Sequence, residues 1–205
     1  MESRCLLWAR RLAAIAQNGL TYTTNVYDVE RYTALREIAA EMMEQVSGAP
    51  VEEIREALAR EFGYMTPKVD VRAAAFRDGR VLLVREREDD GWTLPGGWAD
   101  VGDAPSEVAV RETKEESGFD VRPLKLAAFY DRDRHNHPPI PYHAYKAFFL
   151  CELTGGAATT SNETSAVDFF AEDALPPLSL TRLTAEELHH LFDHLRHPEW
   201  PTSFD

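Results

Sequence analysis

The stretch from Gly97 to Phe119, GWADVGDAPSEVAVRETKEESGF, constrains this chain more than any other. Pro105 suits the first turn of a helix, Asp103 stands where an N-cap could lie, and Gly118 stands where the helix should end. At about 3.6 residues per turn, Glu112, Glu115 and Glu116 then share an arc of roughly 100°. Glu112 neighbours both of the others, and each like-charge pair costs roughly 0.2–0.5 kcal/mol on an isolated helix. A helix shaped for stability alone would avoid that crowding. A hard divalent cation reverses its sign, because Mg2+ binds carboxylate oxygens and keeps waters. Arg111, four residues before Glu115, can hold that carboxylate in place. Charge-rich runs are by default solvated helix faces. Here, however, Leu94-Pro95-Gly96-Gly97 lies at fixed spacing upstream, where two glycines allow close backbone approach and free a carbonyl for a ligand role.

The segment resembles the Nudix box: a Gly, five residues, a Glu, seven residues, then Arg-Glu-apolar-any-Glu-Glu-any-Gly-apolar. Gly97, Arg111, Glu112, Glu115, Glu116, Gly118 and Phe119 match it, whereas Asp103 replaces the first Glu and Thr113 an apolar residue. So many spaced matches are far more specific than a lone glycine motif. The resemblance implies an α/β (α+β) fold, an α/β/α sandwich with a mixed sheet. It also implies site roles. Glu112 and Glu116 would be the main metal ligands, Glu115 a further ligand or the group acting on water, and the Gly96 carbonyl would complete the shell. Arg111 would orient the glutamates. The implied cofactor is Mg2+ or Mn2+, and the implied reaction is attack of water on one phosphorus of a diphosphate.

Composition narrows the partners. The formal net charge is −13, so a phosphate polymer held on a broad basic surface is disfavoured, and a small nucleotide substrate would also be repelled unless metal ions neutralise the site. Cys5 and Cys151 read as small buried hydrophobes in a reducing cytoplasm rather than as a disulfide. No stretch has the length of a membrane span. The apolar run after Arg10-Arg11 is too short for an export signal.

Three amphipathic helices are expected in the first third. Cys5, Trp8, Leu12 and Ile15 mark the first, which Asn18-Gly19 should stop. Tyr32, Leu35, Ile38, Met42 and Val46 mark the second, capped by Asp28 and ended by Gly48. Val51, Ile54 and Leu58 mark the third, ending near Gly63. The pattern turns strand-like after Thr66-Pro67, which divides the chain into a helical domain, residues 1–66, and a catalytic domain, residues 67–205. Further strands are expected around Val81–Val84, Leu124–Tyr130, Tyr145–Leu153 and Ala166–Ala171. Thr184 and Glu187 signal a capping box for the last helix.

Outside the box, Glu163 is the candidate for an additional catalytic acid from a loop, against the plainer role of an exposed loop glutamate. Arg132, His135 and His137 lie in a polar loop that ends in Pro138-Pro139, and they are candidates for a phosphate or the distal group. The spacing of His135 and His137 makes a poor zinc site, so carboxylate-bound Mg2+ or Mn2+ is preferred. Tyr22, Tyr27 and Trp98 are candidates for stacking on a base, although core or interface packing is the commoner role of such residues.

A second resemblance rests on Leu7–Leu12, Ala16–Tyr22, Val26-Tyr27-Asp28 and Glu30-Arg31-Tyr32. It continues in His135, His137-Pro138-Pro139, His143 and Tyr145-Lys146 before Phe148-Phe149. These are similar to a bacterial Nudix subgroup of ADP-ribose and CDP-choline pyrophosphatases. That likeness implies homodimers joined through the helical domain. Competing readings are an RNA-end or nucleoside-triphosphate hydrolase with the same box, and a non-catalytic Nudix ligand-binding module. The intact set of three box glutamates argues against the latter.

Overall fold

The computed structural model describes residues 4–205. They form two compact units: the residues up to Pro67 with Pro138–His143, and Lys68–His137 with Ala144–Asp205. The stretch Pro138–His143, placed by sequence in the catalytic domain, packs with the helices.

The first unit holds α1 (Arg4–Tyr22), α2 (Val26–Ser47) and α3 (Val51–Ala59). Its core is a stripe of small residues. Ala9 and Ala13 of α1 meet Ala39, Ala40 and Met43 of α2, sealed by Leu6, Ile54 and Leu58. Alanine lets two helices approach closely with no loss of side-chain entropy. This corrects the expected faces. Trp8 is 51% and Ile15 56% exposed, Cys5 is exposed rather than buried, and Ile38 also faces out. Leu12 of α1 and Met42 and Val46 of α2 do pack against this core as expected, so the correction concerns Cys5, Trp8, Ile15 and Ile38. α1 also runs past Asn18-Gly19. A Cβ at Gly19 would lie 2.4 Å from the Tyr32 ring, so this glycine serves close packing rather than termination. The cap of α2 is Asn25, whose side chain accepts from the Tyr27 and Asp28 amides, and Asp28 is a first-turn acid. α3 stops at Ala59, short of Gly63. Arg10 is buried, and its guanidinium donates to the Ile140 and Pro141 carbonyls at 2.5 and 3.3 Å, holding the Pro138–His143 stretch in this unit.

The second unit is built on one mixed sheet. Its strands are β1 (Lys68–Arg77), β2 (Arg80–Glu86), β3 (Trp92–Thr93), β4 (Gly96–Trp98), β5 (Phe119–Asp131), β6 (Ala144–Gly156), β7 (Thr164–Phe170) and β8 (Ser203–Phe204). The order is β3-β2-β1-β6-β5-β8, with β4 paired to β1 and β7 to β2. β1 and β6 run parallel, as do β5 and β8. Alternation along β1 serves two cores. Val71, Ala73 and Ala75 face Val108 and Ala109 of α4 (Pro105–Ser117). Ala74 faces Leu188, Leu191 and Phe192 of α5 (Ala185–Arg196). The result is the expected α/β/α sandwich. α5 starts in the expected capping box of Thr184 and Glu187. α4 ends on Gly118 in the left-handed conformation, but its N-cap is Ala104, whose amide donates to Glu107. Asp103 instead lies 3.5 Å from Arg111. Cys151 is buried as expected, and burial pushes its thiol up to about 12.

Candidate active site

The glycine turn and α4 meet because β4 lies against β1, with Gly96 opposite Arg72 and Gly97 opposite Val71. Gly96 has φ 146°, and a Cβ there would stand 2.0 Å from the Val71 carbonyl oxygen, so no side chain fits. Its N–H donates to Glu116 Oε2 at 3.0 Å. A Cβ on Gly97 would come within 3.4 Å of the Glu112 carboxylate. The two glycines thus bring bare backbone up to two carboxylates one helical turn apart. At the far end, Thr164 Oγ1 donates to the Glu116 carbonyl at 2.8 Å, tying the last turn of α4 to β7.

These groups line one cavity of about 520 Å3. Gly96, Gly97, Trp98, Arg111, Glu112, Glu115, Glu116 and Glu163 are all on its wall. The sequence candidates Arg132, His135 and His137 are not, and each has a structural occupation. Buried Arg132 donates to the Thr181 carbonyl. His135 stacks on Tyr130 and contacts Asp205. The His137 side chain is enclosed, 2.9 Å from Glu187 and 2.8 Å from the Leu180 carbonyl. Tyr22 is an exposed residue of the first unit.

Sequence reading missed Arg72, Glu86, Ser161, Asn162 and Arg182, which complete the wall. A signal for one of them was present. Asp70 and Arg72 put two charges two residues apart inside an apolar strand, hence on one buried face. For Glu86, Ser161, Asn162 and Arg182 the sequence carries no comparable mark.

The electrostatics of the cavity are those of crowded, dehydrated carboxylates. Burial pushes Glu116 up to about 8, although Arg72 and the Gly96 N–H oppose the shift. Burial also raises Glu112 and Glu86. Arg111 neutralises part of this charge, donating to Glu112 at 2.7 Å and Glu115 at 3.3 Å. An all-oxygen donor set whose carboxylates burial disfavours in their charged form fits a hard divalent cation, which would favour that form.

Comparison with known proteins reaches the same place. Residues 66–192 match the NUDIX domain, and residues 3–58 match the UDP-X-like N-terminal oligomerisation domain. The chain belongs to the Nudix family. A Bacillus subtilis (strain 168) protein provisionally named ADP-ribose pyrophosphatase YjhB is 48% identical to this Nudix chain, covering 100% of it and 99% of the relative. The crystal structure of an ADP-ribose pyrophosphatase from Streptococcus suis is 43% identical, with a TM-score of 0.63, covering 68% of this chain and 100% of that one. The crystal structure of a UDP-X diphosphatase is 34% identical, with a TM-score of 0.64 and 98% coverage of both chains. The domain and these relatives make the chain a Nudix pyrophosphatase. Nudix hydrolases generally depend on a divalent metal and act on small nucleotide substrates.

Proposed function

We propose that this enzyme hydrolyses the diphosphate bond of a nucleoside diphosphate linked to a small moiety, of the ADP-ribose or CDP-choline type. The products are a nucleoside monophosphate and a phosphorylated remainder. The carrying observation is the convergence of Glu112, Glu115, Glu116 and Glu163 with the Gly96-Gly97 turn on one cavity. The UDP-X diphosphatase relative adds uridine compounds to the candidates.

In this reading Glu112 and Glu116 hold Mg2+ or Mn2+ with the Gly96 carbonyl, and Glu115 is a further ligand. Bound metal supplies charge neutralisation at the phosphates and lowers the pKa of the attacking water. Arg111 keeps the Glu112 and Glu115 carboxylates in register. Water oxygen bonds to one phosphorus, the bridging P–O bond breaks, and the water's proton passes to a glutamate. Glu163, at the cavity rim on the 161–163 loop, is our candidate for that base, with Glu115 as the other. Trp98, on the cavity wall, would stack on the base in this reading. We further propose that residues 1–66 form the homodimerisation domain. The outward apolar residues Trp8, Ile15 and Ile38 and the match to an oligomerisation domain support this. Among the described residues, no helix is long and apolar enough to cross a membrane. The cysteine content favours the cytoplasm.

The test is a product assay on ADP-ribose, CDP-choline, UDP-glucose and deoxynucleoside triphosphates with Mg2+ or Mn2+, beside Glu116→Gln. The reading expects metal-dependent nucleoside monophosphate from at least one diphosphate-linked compound, lost in the variant. Turnover of triphosphates alone would overturn it.

A further inference from the structure

Three arginines line the cavity, and their hydrogen bonds differ in one respect. Arg111 spends Nη1 on Glu112 and Glu115, and its Nη2, shut off from solvent and without a hydrogen bond among the described residues, faces the Asp103 and Asp100 carboxylates at 3.5 and 3.7 Å. Arg182 is engaged along its whole fork: Nε faces Glu86 at 3.4 Å, Nη1 donates to Ser179 Oγ at 3.2 Å, and Nη2 binds Glu88. Arg72 is 5% exposed. Its Nε donates to Asp70 Oδ1 at 2.9 Å and its Nη1 to the Leu94 carbonyl at 3.1 Å. Among the described residues its Nη2 makes no hydrogen bond, and the side chain lines the cavity beside Glu116 and Glu86.

The carboxylates around this nitrogen are committed elsewhere. Glu116 accepts from the Gly96 N–H, and Glu112 and Glu115 accept from Arg111. The aim of Arg72 is also fixed. Asp70, which orients it, uses its other oxygen to accept from Lys146 Nζ at 2.8 Å. Lys146 is fully buried, and it also donates to the Arg182 carbonyl at 2.5 Å. Parallel pairing of β1 with β6 sets Asp70 beside Lys146, so one buried lysine braces the strand residue that holds Arg72 and the backbone of Arg182.

We propose that Arg72 receives a non-bridging phosphate oxygen of the substrate's diphosphate through its open Nη2, with Asp70 and Lys146 as its positioning residues. The proposal rests on the reading of the cavity as a diphosphate site. A planar fork held by two bonds presents the third donor with little further loss of entropy. Once the glutamates are neutralised by a cation, Arg72 has a donor left for an anionic ligand, whereas Arg111 Nη2 stays within its own carboxylates, Asp100 and Asp103.

The test uses the full chain and a non-hydrolysable probe, methylenediphosphonate, titrated calorimetrically in the presence of Mn2+. Binding of Mn2+ alone is followed by electron paramagnetic resonance. Arg72→Gln should leave Mn2+ affinity unchanged and weaken the probe about tenfold to hundredfold, the weight of a charge-assisted hydrogen bond. Arg72→Lys keeps the charge opposite Asp70 but loses the fork, and should fall between. It also serves if Arg72→Gln does not fold. Probe affinity equal to wild type in a folded variant overturns the proposal. So does a parallel loss of Mn2+ affinity, which would make Arg72 a support for Glu116. Failure of wild type to bind the probe, seen before any variant, overturns the diphosphate reading and this proposal together.

Discussion

Glu116 is held against the Gly96 amide in a place that water hardly reaches, and burial lifts it to about 8 from an ordinary 4.5. A raised carboxyl binds its proton more tightly in the folded state, so stability is greatest at low pH and declines as pH rises from about 4.5 to about 8. In EDTA, the unfolding free energy should therefore fall between about pH 6 and pH 8, by on the order of 2 kcal/mol. Glu116→Gln should abolish that decline while removing turnover, and an unchanged slope in the variant would assign it elsewhere. Gly96→Ala sets a Cβ against the Val71 carbonyl. It should cost about 3 kcal/mol or more in thermal melts and lower Mn2+ binding, because β4 must shift off β1. Asp70 shows the opposite sign. Burial pushes it up, but Arg72 and Lys146 outweigh that and hold it at about 2. Its contribution is complete above its ordinary 3.8 and is lost as pH falls towards about 2.

Among the elements, α5 carries a second titrating group. His194 is fully buried on it, 3.2 Å from His190 and packed edge-on against Trp200, and its Nδ1 has no hydrogen-bond partner. Burial, with Lys125 and His190 nearby, pushes it down to about 4. A base depressed in the fold gains protons first in the unfolded chain, so stability falls as pH drops from about 6.5 to about 4. On acidification from about pH 7 to pH 5 the unfolding free energy of wild type should fall relative to that of His194→Leu by on the order of 1–2 kcal/mol, a difference that separates this group from Glu116, whose contribution runs the other way. At this same scale the sequence was legible wherever the signal was local. The capping box of α5, Gly118 after α4 and Gly48 after α2 are backbone events decided within one helical turn. It was misleading for Cys5, Trp8 and Ile15 of α1 and Ile38 of α2, while Leu12, Met42 and Val46 pack inward as expected. Period alone shows that a helix has an apolar stripe, and it does not say whether alanines or large side chains meet the neighbour.

For the whole molecule that inversion is the useful fact. Trp8, Ile15 and Ile38 are the residues a monomer would have hidden. Trp8→Glu with Ile15→Glu should convert a dimer to a monomer by light scattering, while Mn2+ binding at the catalytic cavity stays as in wild type. A wild-type monomer at micromolar concentration would overturn the dimer. The candidate site divides along the same line. Gly96, Trp98, Arg111, Glu112, Glu115, Glu116 and Glu163 were named from the sequence and lie on the cavity wall. Arg132, His135 and His137 looked equally polar, yet they serve the packing of their own loop.

The sequence by itself determined the chemistry of α4, because three carboxylates and an arginine at fixed helical spacing express their geometry within a few turns. It also determined the fold family, through the spacing of that helix from its glycine turn. The tertiary structure alone decided what surrounds the carboxylates. Arg72, Glu86, Ser161, Asn162 and Arg182 reach the cavity from β1, β2 and later loops, and Lys146 reaches Asp70 across 76 residues by strand pairing. Such contacts depend on sheet order and register, which set long-range neighbours; the charged pair Asp70 and Arg72 marks a buried polar face in the local pattern, but which partners meet it there is not marked.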